Sequence, residues 1–201
     1  MSDSDRPEAC YSERLDRALS FAASGFRHRV RKGTGVPYLT HLLGVMVLVA
    51  EHGGDEEQMI AALLHDYLED IEGSSVETLE REFGERVAHY VLAMSDTTVR
   101  PKPPWQERKR RHIAQMATEP PELKLVSAAD KLHNARSLLR EHAEIGDSLW
   151  GRFNASRDQT LWYYREVVRA LGQGWQHPIC DELSAVVRAL HQSADVEYGS
   201  P

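Results

Sequence analysis

The sequence predicts an all-α protein folded as a single-domain helical bundle. Apolar residues recur at intervals of three and four, the period of a helix buried along one face. Glycine and proline fall between the apolar segments and not inside them, where they would break a helix. The chain has 201 residues, 41% of them hydrophobic, which is enough for one sizeable core and leaves no room for a second catalytic domain.

The elements follow in order. Residues 1–11 are polar and are expected to be a flexible N-terminus, and 12–193 the folded domain. Residues 12–28 form an amphipathic helix with Leu15, Ala18, Leu19 and Ala22 on one face, broken by the segment from Arg31 to Pro37. A second helix, Tyr38 to Glu51, is apolar almost without interruption from Leu42 to Val49 and should be central, buried on most sides. His52, Gly53 and Gly54 end it, and Asp55 caps a third helix from Glu56 to Tyr67 or Leu68. That helix is apolar all round from Met59 to Leu64 and then runs abruptly into His65 and Asp66.

Ser74 and Glu77 have the spacing of a capping box for a short helix to Phe83, and Gly84 separates it from a helix over 85–94. Residues 95–104 read as an extended loop stiffened by prolines. A basic helix occupies 105–117, and Pro120-Pro121 opens another from Glu122 to His142. The C-terminal helices span 147–193: a long aromatic one starts at Asp147 or Ser148 and runs to Leu171, and the last covers 178–193. Residues 194–201 are expected to be a flexible C-terminus.

Charge narrows the function. With 24 Lys+Arg against 31 Asp+Glu, the net charge is −7, so there is no basic footprint for nucleic acid or an anionic membrane. No run approaches the roughly 20 apolar residues of a membrane span, and the N-terminus lacks a secretory signal, so a cytoplasmic protein is expected. Cys10 and Cys180 stand far apart and outside any metal-binding spacing, as reduced thiols would. Ten histidines beside an excess of carboxylates supply the ligand set of a hydrolytic metal centre.

Ionisable residues concentrate in three places. His65, Asp66, Glu69 and Asp70 crowd one end of an apolar helix; if the helix continues, His65 lies beneath Glu69 and Asp66 beneath Asp70. Asp130 shares a face with His133 and Asn134 after an apolar stretch, and His41 sits near the start of the apolar second helix. A divalent cation would neutralise such carboxylates. Each residue also has a plain alternative: a hydrogen-bonded core histidine, an ion-pair partner, or a solvated helix end.

The order His41, His65-Asp66, Asp130 resembles the signature of the HD-domain phosphohydrolase superfamily. The stretches Lys32 to His41, Ala61 to Asp70, Phe83-Gly84 and Ala129 to Arg136 are similar to the hydrolase domain of RelA/SpoT-type alarmone enzymes and of small stand-alone alarmone hydrolases. The signature region is 28–142, and the similarity runs on towards residue 171.

The resemblance implies an HD-domain bundle in which His41, His65, Asp66 and Asp130 hold one divalent metal ion. Manganese is the usual one, and the donor set also admits Fe²⁺ or Zn²⁺. Glu69 and Asp70 match the family's acidic pair, which positions and deprotonates the attacking water; a carboxylate one turn beyond the ligands can accept that proton. The alternative for either is a partner that orients His65.

Substrate contacts are carried over residue by residue. Asn134 matches an asparagine of the nucleotide pocket, and Tyr163 or Tyr164 would supply the aromatic contact to ribose or phosphate, with core packing as the alternative. Arg31 and Lys32 precede the turn where alarmone enzymes use basic residues against guanine and phosphate. Counted back from His41, the family's arginine falls on Lys32 and its following lysine on Gly33, a departure from the pattern. Lys102, Arg108 and Lys109 are expected to gather phosphates beyond the metal.

The implied activity is a pyrophosphohydrolase acting on a small anionic nucleotide such as guanosine 3′,5′-bis(diphosphate). Two alternatives stand beside it: the same chemistry on another nucleotide or phosphoester, and an HD module that senses a nucleotide or binds a partner without turnover.

Overall fold

The computed structural model describes residues 10–96 and 103–199. Helix α1 (Glu13–Gly25) starts where the Ser12 hydroxyl accepts from the Arg14 amide, and it buries Leu15, Ala18 and Ala22. It stops three residues short of its expected end, because Phe26 turns into the core and is 1% exposed. The chain then closes a narrow loop through the bridge between Val30 and Pro37, with the Arg31 amide donating to Val36 at 2.8 Å. Gly33 in this loop has φ +75, and a Cβ there would lie 2.4 Å from Arg152 Cδ, so any other residue would be strained and would displace that side chain.

Helix α2 (Leu39–Glu51) and helix α3 (Glu56–Leu64) pack against each other at the centre. The uninterrupted apolar surface of both is the reason: Leu42, Val45, Ile60, Leu63 and Leu64 have no exposed surface. Each such side chain stabilises the fold by about 1.5–3 kcal/mol relative to exposure. Asp55 caps α3 in a reciprocal box with Gln58, whose side chain also donates to the Glu122 carbonyl at 2.7 Å.

The third helix ends earlier than its pattern suggests. It halts at Leu64, His65 and Asp66 form a turn, and a four-residue helix α4 (Tyr67–Asp70) resumes. Asp66 takes φ −95 and ψ 3, outside the helical region. Helix α5 (Val76–Phe83) is capped by Ser75, which accepts from Thr78, one residue beyond the expected Ser74. Helix α6 (Glu85–Met94) follows directly at Gly84, whose φ of +91 makes the turn between them.

Helix α7 (Trp105–Thr118) carries the basic run, and Pro121 opens helix α8 (Pro121–Ile145), which extends past the expected end at His142. Lys124, 2% exposed, spans to a neighbouring element by donating to the carbonyls of Ala117 at 3.2 Å and Gln173 at 2.5 Å.

The long aromatic helix expected from 147 is two pieces. A 3₁₀ turn (Gly146–Arg152) buries Leu149 and Trp150, and helix α9 (Arg157–Leu171) begins only at Ser156, in a capping box with Gln159. The serine with glutamine three residues on was visible in the sequence as a start signal. Helix α10 (Pro178–Ser193) packs on α8 and α9, and beyond it the Tyr198 ring meets His191 at 4.9 Å. Among the described residues there is no strand beyond the single bridge, and no helix is long and apolar enough to cross a membrane.

Candidate metal centre and adjoining cleft

Helices α2 and α8 and the turn after α3 bring four side chains to one point. His41 Nε2 lies 3.2 Å from His65 Nε2 and 3.2 Å from Asp130 Oδ1. His65 Nε2 lies 3.0 Å from Asp66 Oδ2 and 3.5 Å from Asp130 Oδ1. The ligand atoms of His41, His65 and Asp66 all fall within 4.8 Å of one another, and Asp130 approaches both histidines from α8. The break at His65 and Asp66 makes this possible, since a continuous helix would send adjacent residues to different faces.

The surrounding hydrogen bonds hold the converging side chains in place. His65 Nδ1 donates to the Ala62 carbonyl at 2.7 Å, which turns its Nε2 toward the cluster. The Nδ1 atoms of His41 and His133 lie 2.9 Å apart, and burial, then the neighbouring His41 and Arg31, lower the His133 pKa to about 4. His133 is therefore neutral, and the two Nδ1 atoms share one proton between the rings. Asp66 Oδ2 accepts from the Tyr38 hydroxyl at 2.5 Å. Asp130 accepts from Asn134 and from Lys131, each at 2.6 Å.

Electrostatics follow from burial and proximity. Burial lowers the His41 pKa more than the Asp130 hydrogen bond raises it. His65 goes the other way: burial pulls it down, but Asp66 and Asp130 together push it well above the ordinary imidazole value. Burial opposes ionisation of both carboxylates; the His65 charge holds Asp66 low, and Lys131 followed by His65 holds Asp130 low. Two imidazole nitrogens and two ionised carboxylates converging on one point are a fitting ligand set for a divalent cation, which would displace the His65 proton.

Glu69 and Asp70 lie on α4, and the Asp70 amide donates to the Asp66 carbonyl at 3.0 Å, which keeps those two residues one turn apart. His65 stands at the break, so its stacking beneath Glu69 on a continuous helix does not form. Glu69 Oε1 accepts from the Asp96 amide at 2.7 Å.

Beside the four ligands opens a cleft of about 370 Å³. Arg31, Lys32, Lys109, Asn134, Tyr163 and Tyr164 all line it. Arg31 donates to Asn134 at 2.8 Å, and Lys32 donates to Asn154 at 3.1 Å. The short loop closed by Arg31 and Val36 sends both basic side chains inward, so counting residues back from His41 did not fix which of them reaches the cleft. Arg108 is not part of the wall; it pairs with Asp96 and donates to the Pro103 carbonyl. Lys102 lies outside the described residues.

The sequence reading missed Tyr38, Trp105, Phe153 and Asn154, which also line the cleft. Tyr38 stands three residues before His41, and on a helix start that spacing places both on one side. Phe153 and Asn154 occupy the unforeseen break before α9, and only that break turns them inward. His133, which the helical spacing places on one face with Asp130, lies against His41.

The chain is similar to several known proteins. The HD-domain family model matches residues 18–160. Over 129 residues the chain is 38% identical to a guanosine-3′,5′-bis(diphosphate) 3′-pyrophosphohydrolase of Aquifex aeolicus, covering 64% of this chain and 18% of that protein. It is 37% identical over 129 residues to the MESH1 enzyme of the same activity from Mus musculus, covering 63% and 70%. A solved structure of a metazoan ortholog of SpoT, described as hydrolysing ppGpp, superposes with a TM-score of 0.74 at 28% identity, covering 90% of this chain and 97% of that one.

Proposed function

The chain belongs to the HD-domain family, and from that premise we propose that it is a metal-dependent phosphohydrolase which removes the 3′-pyrophosphate from guanosine 3′,5′-bis(diphosphate). One observation carries the reading. The ligand cluster and the cationic, aromatic cleft share side chains: Tyr38 lines the cleft and donates to Asp66, and Asn134 lines the cleft and donates to Asp130. A phosphate in the cleft would therefore meet the hydrolytic centre directly. The named activity of the relatives from Aquifex aeolicus and Mus musculus supports the same substrate.

His41, His65, Asp66 and Asp130 would hold the cation, manganese in first place and Fe²⁺ or Zn²⁺ as alternatives. When bound, such an ion polarises the phosphorus and lowers the pKa of water. Glu69 and Asp70 orient the attacking water and accept its proton. Arg31, Lys32 and Lys109 draw the anionic substrate against the protein's net negative charge, and the tyrosines cover its ribose. Water oxygen bonds to the proximal phosphorus of the 3′-diphosphate, the bond from that phosphorus to O3′ breaks, and GDP and pyrophosphate leave. A cytoplasmic location is part of this proposal, consistent with a nucleotide substrate.

Incubation of the manganese-loaded protein with ppGpp tests the proposal by product. GDP and pyrophosphate in equal amounts, lost in Asp66→Ala, are expected. Release of orthophosphate, or turnover only of other nucleotides, would replace the substrate. Tight nucleotide binding with no product from any nucleotide would make the protein a sensor. Replacing Glu69 by Gln and Asp70 by Asn separately tests the proton acceptor: if both single variants bind metal and turn over normally, the assignment fails.

A further inference from the structure

Asp96 lies just beyond α6, after the Ser95 hydroxyl has closed the helix by donating to Val91 at 2.9 Å. Its backbone and side chain face different partners. The amide donates to Glu69 Oε1 at 2.7 Å on α4, whereas carboxylate Oδ2 accepts from Arg108 and, at 3.3 Å, from Lys109 on α7. The Asp96 side chain is only 8% exposed, and its Oδ1 is buried with no partner among the described residues. Lys109 continues inward, with its ammonium 5.0 Å from the centre of the Tyr163 ring at the cleft wall.

A buried carboxylate beside an anion-binding cleft weakens substrate binding by its charge, and an unpartnered oxygen costs stability as well. Both costs are offset where the group holds other residues in place. Asp96 carries one negative charge against the two positive charges of Arg108 and Lys109, so the net local charge still favours phosphate.

We infer that Asp96 is a positioning residue which pins α7 to α4, setting Lys109 through its carboxylate and Glu69 through the backbone amide that the carboxylate anchors. This rests on the proposed roles of Glu69 and Lys109 in phosphate hydrolysis. Loosening the pin would affect two separable quantities. Lys109 would lose its aim, raising KM, and Glu69 would lose a fixed donor, lowering kcat.

The test compares Asp96→Asn with Lys109→Ala and Glu69→Gln, alone and in pairs. Asp96→Asn is expected to raise KM about tenfold, as the loss of a charged hydrogen bond to Lys109 does, and to lower kcat about tenfold, because the retained amide is no longer held against Glu69. On the Lys109→Ala background it should raise KM no further, and on the Glu69→Gln background it should lower kcat no further. Additive effects in both pairs would overturn the inference, since a general loosening of the fold adds to any other change. Asp96→Glu, which keeps the charge, should recover part of the KM loss.

If Asp96→Asn does not fold, Arg108→Met removes the pin from the other side and should show the same joint signature; a normal kcat and KM there would equally overturn it. Calorimetric binding of inorganic pyrophosphate to the metal-free protein needs no turnover. It should weaken about tenfold in Asp96→Asn and in Lys109→Ala, and not further in the pair. That result stands if ppGpp proves not to be the substrate, and unchanged pyrophosphate affinity in Asp96→Asn sinks the inference.

Discussion

Tyr38 donates its hydroxyl proton to Asp66 Oδ2 at 2.5 Å, across the gap between the start of α2 and the turn after α3. The bond ties a cleft residue to a carboxylate proposed to hold the metal ion. Partners of this kind orient a ligand, and losing one typically costs 10–100-fold in metal affinity. Tyr38→Phe keeps the ring stacked on Phe26, 5.5 Å away, and removes only the donor. Its manganese or zinc affinity should fall about tenfold or more while the thermal midpoint stays within ~3 °C, read by calorimetry and circular dichroism. Unchanged affinity would show that Asp66 needs no such partner.

Gly44 gives His133 its place. A Cβ at Gly44 would lie 2.4 Å from both Cδ2 and Nε2 of the His133 ring, so alanine there must push the ring away and break its contact with His41. Gly44→Ala is expected to weaken metal binding about tenfold and to cost about 1–3 kcal/mol by overpacking. In a His133→Ala background the added methyl meets nothing from that ring, so the double variant should bind metal no worse than His133→Ala alone. Wild-type affinity in Gly44→Ala would contradict this account.

The histidines set the pH dependence of metal uptake. In the metal-free protein His65 has its pKa raised well above the ordinary value and is protonated near neutrality, whereas His41 and His133 have lowered values and are neutral. Metal binding to His65 Nε2 must displace that proton. Affinity should therefore rise with pH, by up to about tenfold per unit, and level off above the folded pKa of His65. Calorimetry at pH 7 in buffers of different ionisation enthalpy should find about one proton released per metal ion; release of none would mean that His65 is already neutral.

Stability of the metal-free protein follows the same groups with the signs kept apart. The raised His65 pKa contributes stability that is full below its unfolded value of about 6.5 and is lost as pH rises through the folded value. The depressed Asp66 and Asp130 values contribute stability present above about 4 and lost as pH falls through the folded values. Urea midpoints of the metal-free protein should peak between these limits and decline on the alkaline side, and added metal should remove the alkaline decline. A midpoint that keeps rising into the alkaline range without metal would refute the charged state of His65.

Ser156 starts the helix that carries Tyr163 and Tyr164 to the cleft, and it does so through two reciprocal bonds with Gln159, at 2.9 and 3.2 Å. Ser156→Ala should cost about 1 kcal/mol and lower the thermal midpoint by ~2–4 °C, with kcat unchanged because no reacting group is touched. A midpoint equal to wild type would show that the 3₁₀ turn before it holds the helix start unaided.

The sequence by itself determined the helical class, the central place of α2 and α3, and the crowding of ionisable residues at the ends of apolar helices. These are local properties. The period of Leu42 to Val49, the cap at Asp55 and the polar residues ending an apolar run are each written within one or two turns of chain. The tertiary structure decided where helices stop and what their ends face. The chain breaks at His65 and Asp66, which lets the two residues converge on His41 and Asp130, from helices distant in the sequence. The same holds for Tyr38 against Asp66, for His133 in the space left by Gly44, and for Asp96 between α4 and α7. A buried polar group must find a partner, but which residue serves depends on how distant helices pack, and no local period or spacing records that.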